Sequence, residues 1–270
     1  MAVNSHIQIP KCILKHFCDD SQRAYYLDLK SGYVGMAGVK KLGTEYGYYS
    51  DDHEKYLSKE IEAPLAALAA KVRQLLDNDG LTIKLTTAEE TLLKKYVTSS
   101  MARSTLALET MQNMLGVHSR LLLSEQQKHD FISRFGTTQN NSAYKTFEKH
   151  YLVILVNRTS VNWVVPRNCF YAVSSSELEC IVAPIAPQCA LCLFPPEYAE
   201  KRAESMLYRL GIVNDPYFAT MMNIRALLYE YLMNQTFVAS ASKAELEILR
   251  DYLVENRQKL DNQRLEVREK

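Results

Sequence analysis

Residues 151–194 read YLVILVNRTS VNWVVPRNCF YAVSSSELEC IVAPIAPQCA LCLF. Within this stretch Tyr151–Val156, Val161–Val165, Cys169–Val173, Glu179–Ala183 and Ala190–Phe194 are short runs rich in β-branched and aromatic residues. Runs of that length and composition, broken by Asn, Pro and Ser, are strands rather than helices. The spacing predicts a small antiparallel or mixed central sheet over 151–194, closed by Pro184, Pro187, Pro195 and Pro196. On both sides of it the apolar period is helical, which makes the chain α+β. A mainly α fold is the alternative, because helical pattern dominates by length.

Toward the N-terminus, residues 52–150 form a helical middle. Ile61, Leu65, Leu68 and Val72, with Leu75-Leu76, make one stripe that stops at Asn78-Asp79-Gly80. Thr86 or Thr87, each with a glutamate three residues on (Glu89, Glu90), opens the next helix through a capping box. That helix is predicted to run to Gly116. Ser124 with Gln127 opens another, and a further helix ends near His150. Before them, residues 23–39 predict a β-hairpin that joins or flanks the central sheet, with Gly32 in the loop where positive φ is useful.

The chain opens with His6-Ile7-Gln8-Ile9-Pro10, then Ile13, Leu14 and Phe17. Pro10 lacks an N–H and pushes Ile9 to an extended conformation. The three apolar residues then follow at helical spacing. This is a stiff entry that delivers one imidazole into the fold.

Toward the C-terminus, residues 196–267 predict helices. Pro195-Pro196-Glu197 and Asp215-Pro216 place proline in first turns, and Ser240 or Ser242 with Glu245 caps the last helix. Phe237-Val238-Ala239 is a short strand between them. In the last helix Leu246, Leu249 and Leu253 face the core, and the part beyond Asn256 is read as solvated. The organisation is a single domain over 1–270.

The composition is 47% hydrophobic and 23% charged with a formal net charge of +1, and the basic residues are dispersed, with no more than doublets such as Lys40-Lys41 and Lys94-Lys95. That balance gives no general nucleic-acid footprint and no polybasic membrane patch. The longest apolar runs, Tyr151–Val156 among them, are far short of a membrane span. No signal-peptide pattern opens the chain. With six cysteines and no secretion signal, the expectation is a soluble cytoplasmic protein with reduced thiols.

Several blocks together resemble a known family. The opening His6–Phe17 block, the hairpin followed by Val39-Lys40-Lys41 and Tyr48-Tyr49, and Arg103 after a long helical segment are three of them. Trp163, Phe170–Glu177, Ala183–Pro187 through Leu193, and finally Asn223 with Phe237–Ser240 complete the order. The chain resembles the bacterial and fungal "domain of unknown function 4238" family over nearly its whole length. The resemblance implies no settled activity, and its association with antiviral and toxin-like genes implies a defence context. One block departs: where the family pattern has Ser-Asp-x-Pro, this chain has Ser174-Ser175-Ser176-Glu177. An aspartate role, if there is one, is lost here or moved to Glu177.

Candidate site residues follow from chemistry. His6 has the side chain that titrates near neutrality and suits a general base or a ligand, or it is hydrogen-bonded at a packed terminus. Arg103, three helical turns beyond Leu92, is an anion clamp or a buried ion-pair partner. Glu177 is the acid nearest the serine run. Ser174 and Ser175 can hold an oxyanion or simply form a polar turn. Asn223, on an apolar helix face, binds a ligand or another backbone. Cys189-x-x-Cys192 lies in a strand pattern, which points residues three apart to opposite faces. His16, His53, His118, His129 and His150 have no HxxxH or HxH spacing, so no metal site is read. Walker A, GxGxxG and HExxH motifs are absent, and no cofactor is named by the sequence.

Two functions follow. In one, His6, Arg103, Glu177 and the serines act on a phosphate-bearing ligand, a nucleotide or nucleic acid, as a hydrolase-like (nuclease or phosphohydrolase) effector. In the other, the scaffold is a non-catalytic protein-binding or assembly module, with a homo-oligomer contact on the C-terminal helix at Leu253 and Leu260.

Overall fold

The computed structural model describes residues 4–6, 9–46, 55–77, 85–102, 145, 147–174, 179–197, 210–233 and 235–269. The order begins with β1 (Asn4–His6), α1 (Lys11–Leu14) running into a 3₁₀ turn, β2 (Arg23–Asp28), β3 (Val34–Gly38) and β4 (Thr44–Tyr46). A π-helical turn, Leu57–Glu62, leads into α2 (Ala63–Asp77), and α3 is Thr87–Ala102. Then come β5 (Tyr151–Asn157), β6 (Val165–Pro166), β7 (Tyr171–Ser174), β8 (Glu179–Ala186), β9 (Cys189–Phe194) and β10 (Leu210–Val213). The chain finishes with α4 (Pro216–Leu232), β11 (Phe237–Ser240) and α5 (Lys243–Glu269). The fold is α+β.

The predicted sheet over 151–194 is present as a five-stranded sheet of order β10-β5-β9-β8-β7. Its strands are antiparallel except for β10, which lies parallel to β5. Side chains alternate faces along a strand, and here both faces are covered. Cys189, Leu191 and Leu193 of β9 join a core with Ile13, Phe17, Leu65 and Tyr96. Ala190, Cys192 and Phe194 join a second core with Leu227, Leu249 and Leu253. The opening segment, α2 and α3 thus cover one face, and α4 and α5 the other. Burial on both faces is why β9 reads as a continuous apolar run.

Three sequence expectations are corrected. The hairpin does not join or flank a single central sheet. It builds a second sheet of order β3-β2-β11-β6. β11 is buried at every residue and pairs on both sides, with β2 (Val238↔Leu27) and with β6 (Val238↔Pro166). The strand expected at Val161–Val165 shrinks to Val165–Pro166. Its backbone is taken by side chains instead: Asn157 Oδ1 accepts from Thr159 N–H at 3.0 Å, and Asn157 Nδ2 donates to Val161 O. Such local bonds compete with a ladder. Finally, the region read as C-terminal helices contains β10. Gly211 hides it; a Cβ there would lie 2.7 Å from Leu155 Cδ2, so the Leu155 side chain would have to shift to admit one.

Local signals hold where the chemistry is local. Gly32 has φ +73° in the hairpin loop. Thr86 closes the capping box: its Oγ1 accepts from Glu89 N–H at 3.2 Å while Glu89 Oε2 accepts from Thr86 N–H at 2.8 Å. Asp215 caps α4 by accepting from Tyr217 N–H at 2.9 Å. Ser242 caps α5 by accepting from Ala244 N–H at 3.2 Å. The part of the helix predicted to extend to Gly116, and the helices around Gln127 and Phe131, lie outside the described residues. No helix among the described residues is long and apolar enough to cross a membrane.

Candidate functional site

The opening segment is fastened at two levels. Asn4–His6 pairs antiparallel with Thr44–Tyr46, with His6 opposite Thr44. Pro10 then starts α1, its carbonyl accepting from Ile13 and Leu14 N–H at 3.0 Å. Ile9, Ile13, Leu14 and Phe17 are fully buried. α1 packs on α2 and β8, so the segment that carries His6 shares a core with the helical middle. The His6 ring lies outside the described side chains.

Arg103, Ser175 and Glu177 lie outside the described residues. Arg103 follows directly on Ala102, the last described residue of α3. The described turn before it is polar and buried: Thr98, Ser99 and Ser100 all lie inside, and Thr98 Oγ1 donates to Lys94 O at 2.8 Å. Ser174 ends β7 opposite Glu179, with its side chain exposed. Asn223 is buried on α4, and both ends of its amide are engaged. Its Oδ1 accepts from Val164 N–H at 3.0 Å and its Nδ2 donates to Asn162 O at 2.8 Å. The structure therefore ties Asn223 to a neighbouring backbone and not to Ser174.

A groove of about 670 Å³ runs between α2 and α3. Pro64, Ala67 and Leu68 on α2 and Ala88 and Leu92 on α3 make its apolar floor. Lys71 and Glu89 bridge it at 2.5 Å. The hydrogen bond from Lys71, then that from Thr86 N–H, holds the Glu89 carboxyl below the usual carboxylate value. Lys95 also lines the groove, and among the described residues no carboxylate pairs with it. A volume in this range suits a small ligand. No group of three or more metal-ligating side chains occurs among the described residues.

Cys189 and Cys192 face different cores, as strand geometry requires, so they do not form one ligand pair. Burial pushes the Cys189 thiol up to about 12, far from a reactive thiolate. None of the six cysteines is in a disulfide.

The sequence reading missed a polar clamp. The irregular crossing segment between β5 and β7 is held by three side chains, two from α4 and one from α5. Asn223 grips Asn162 and Val164, and Glu245 Oε1 accepts from Asn162 N–H at 3.1 Å. Glu230 Oε1 accepts from Asn168 N–H at 3.3 Å. Glu230 is fully buried, and burial pushes its carboxyl up to about 8, against the smaller opposing effects of the Asn168 hydrogen bonds and Arg167. Its spacing of seven from Asn223 was the available signal: residues two turns apart share a helix face.

The blocks on these elements run in one order along the chain: opening strand and turn, hairpin, crossing segment with Trp163, β8–β9, Asn223 and β11. A family model described as "Protein of unknown function (DUF4238)" matches residues 6–243. The chain belongs to the DUF4238 family. The match takes in the five-stranded and four-stranded sheets and α4 with Asn223 and Glu230, while Glu245 and the core leucines of α5 lie beyond it. No curated protein and no solved structure matches the chain.

Proposed function

We propose that this DUF4238 protein binds a phosphate-bearing ligand, of nucleotide or nucleic-acid chemistry, on the side where the opening segment, α2 and α3 meet. The observation that carries the reading is the groove of about 670 Å³ with Lys95 on its wall, a cation that pairs with no carboxylate among the described residues. α2 is shared: α1 and α3 both pack on it. In this reading Lys95 and Arg103 neutralise phosphate, and His6 accepts a proton from the attacking water. Glu177, Ser174 and Ser175 orient the reacting group. The activity class is a phosphohydrolase or nuclease, and a defence role is the biological setting this chemistry would serve.

Calorimetric titration with pyrophosphate, ATP and a short single-stranded oligonucleotide tests the reading. At least one binds saturably, and Lys95→Ala and Arg103→Ala each weaken it about tenfold or more, as loss of a charge-assisted contact implies. His6→Ala keeps binding and loses turnover. Absence of binding by all three ligands at millimolar concentration ends the proposal.

A second reading, a non-catalytic protein-binding or assembly module, is favoured by the exposed apolar side chains Ile212, Tyr217 and Phe218 around the β10–α4 connection. A contact through Leu253 and Leu260 is not its basis, because both are buried in the chain's own core against α4. Tyr217→Ser with Phe218→Ser would convert an oligomer into a monomer on size exclusion. An unchanged elution volume for the variant removes this contact.

A further inference from the structure

The two helices line the α2–α3 groove with the same pattern twice. On α2 the strip is Pro64, Ala67, Leu68 and Lys71; on α3 it is Ala88, Thr91, Leu92 and Lys95. Both follow the i, i+3, i+4, i+7 spacing of one helix face. Lys71, past the middle of α2, meets Glu89, in the first turn of α3, at 2.5 Å. From that contact the α3 strip runs on to Lys95, while the α2 strip runs back to Pro64. The two lysines therefore stand at opposite ends of a short apolar floor. The rise from Glu89 to Lys95 sets them about 9 Å apart along the groove.

The two cations are not equally available. Lys71 Nζ donates to Glu89 Oε1, whereas Lys95 pairs with no carboxylate among the described residues. Glu89 is held where it is, because its other oxygen accepts from Thr86 N–H at 2.8 Å and from Thr86 Oγ1 at 3.1 Å. Glu60 adds a second acid to the wall. We infer, resting on the binding reading above, that the groove takes a nucleoside monophosphate and that Glu89 is the residue that excludes polyphosphates. One phosphate group lies on Lys95, and the uncharged sugar and base cover the aliphatic floor. Further phosphates would have to lie over Leu68 and Leu92, where a charge taken out of water without a partner is costly. They would also run toward a carboxylate that the capping box fixes in place. Lys71 does not offset them while Glu89 holds it.

Calorimetric titration of the full chain with AMP, ADP and ATP, without added divalent cation, tests the selection. The three share one adenosine, so their differences read the phosphates alone. AMP binds about tenfold or more tighter than ATP, and Lys95→Gln weakens AMP about tenfold. Glu89→Gln keeps the capping box, which glutamine also closes, and releases Lys71. In that variant ATP tightens about tenfold or more and the preference for AMP disappears. Wild-type protein that binds ATP as tightly as AMP overturns the inference, and so does Glu89→Gln with the wild-type preference; the wider binding reading survives both results. No binding of any of the three also overturns it, and the pyrophosphate and oligonucleotide titrations then decide the wider reading separately. If Glu89→Gln does not fold, the wild-type preference decides alone.

Discussion

Asn223 and Glu230 sit two turns apart on one face of α4, and each accepts a backbone N–H from the same crossing segment. One helix face thereby replaces the ladder that Val161–Val164 lacks. An irregular segment inside a fold must find partners for its backbone polar groups, and here buried side chains supply them. Trp163 rides in this segment, fully buried, with its backbone N–H donating to Pro187 O at 2.7 Å.

Asn223→Ala strands the Val164 N–H and the Asn162 carbonyl together. Each buried group left unmade costs about 1–3 kcal/mol. Urea unfolding should show a clear fall in midpoint, with the exposed control Tyr217→Ser within about 0.5 kcal/mol of wild type.

Stability should fall as pH rises between about 4.5 and about 8 through Glu230. Its folded value lies above its unfolded one, so between the two the native state holds the proton and the unfolded chain does not. The contribution is full below the unfolded value and is lost as pH climbs through the folded one. Glu230→Gln removes that slope, which denaturant melts across the window will register as a flatter profile.

Phe17→Ala opens a cavity under the opening segment and costs about 3–5 kcal/mol. Thermal unfolding checks it. A variant at His6 should not share this loss if the imidazole serves chemistry rather than packing.

Thr86→Ala breaks the box with Glu89 at the start of α3 and costs about 1 kcal/mol. The same change frees Glu89 from one of the bonds that orient it toward Lys71. Circular dichroism with thermal melting measures the loss.

Iodoacetamide at neutral pH should leave Cys189 and Cys192 unmodified in the native state and label both in urea. Burial withholds the Cys189 thiol from ionisation, and both side chains lie within β9 between the two cores. Mass spectrometry of the digests gives the answer.

The sequence alone determined what depends on near neighbours. Pro10 ahead of Ile13, Leu14 and Phe17, Gly32 in the hairpin, Thr86 with Glu89, Asp215 ahead of Pro216, and the opposed faces of Cys189 and Cys192 each follow from spacings of a few residues. Their partners lie within a turn or a strand pleat. Tertiary structure alone decided that β11 joins β2 to β6, that the short β10 runs parallel to β5, and that Asn223, Glu230 and Glu245 clamp one crossing segment. Those pairings join residues tens to hundreds of positions apart. Their energy comes from burial and from satisfying buried polar groups, neither of which leaves a periodic trace in the chain.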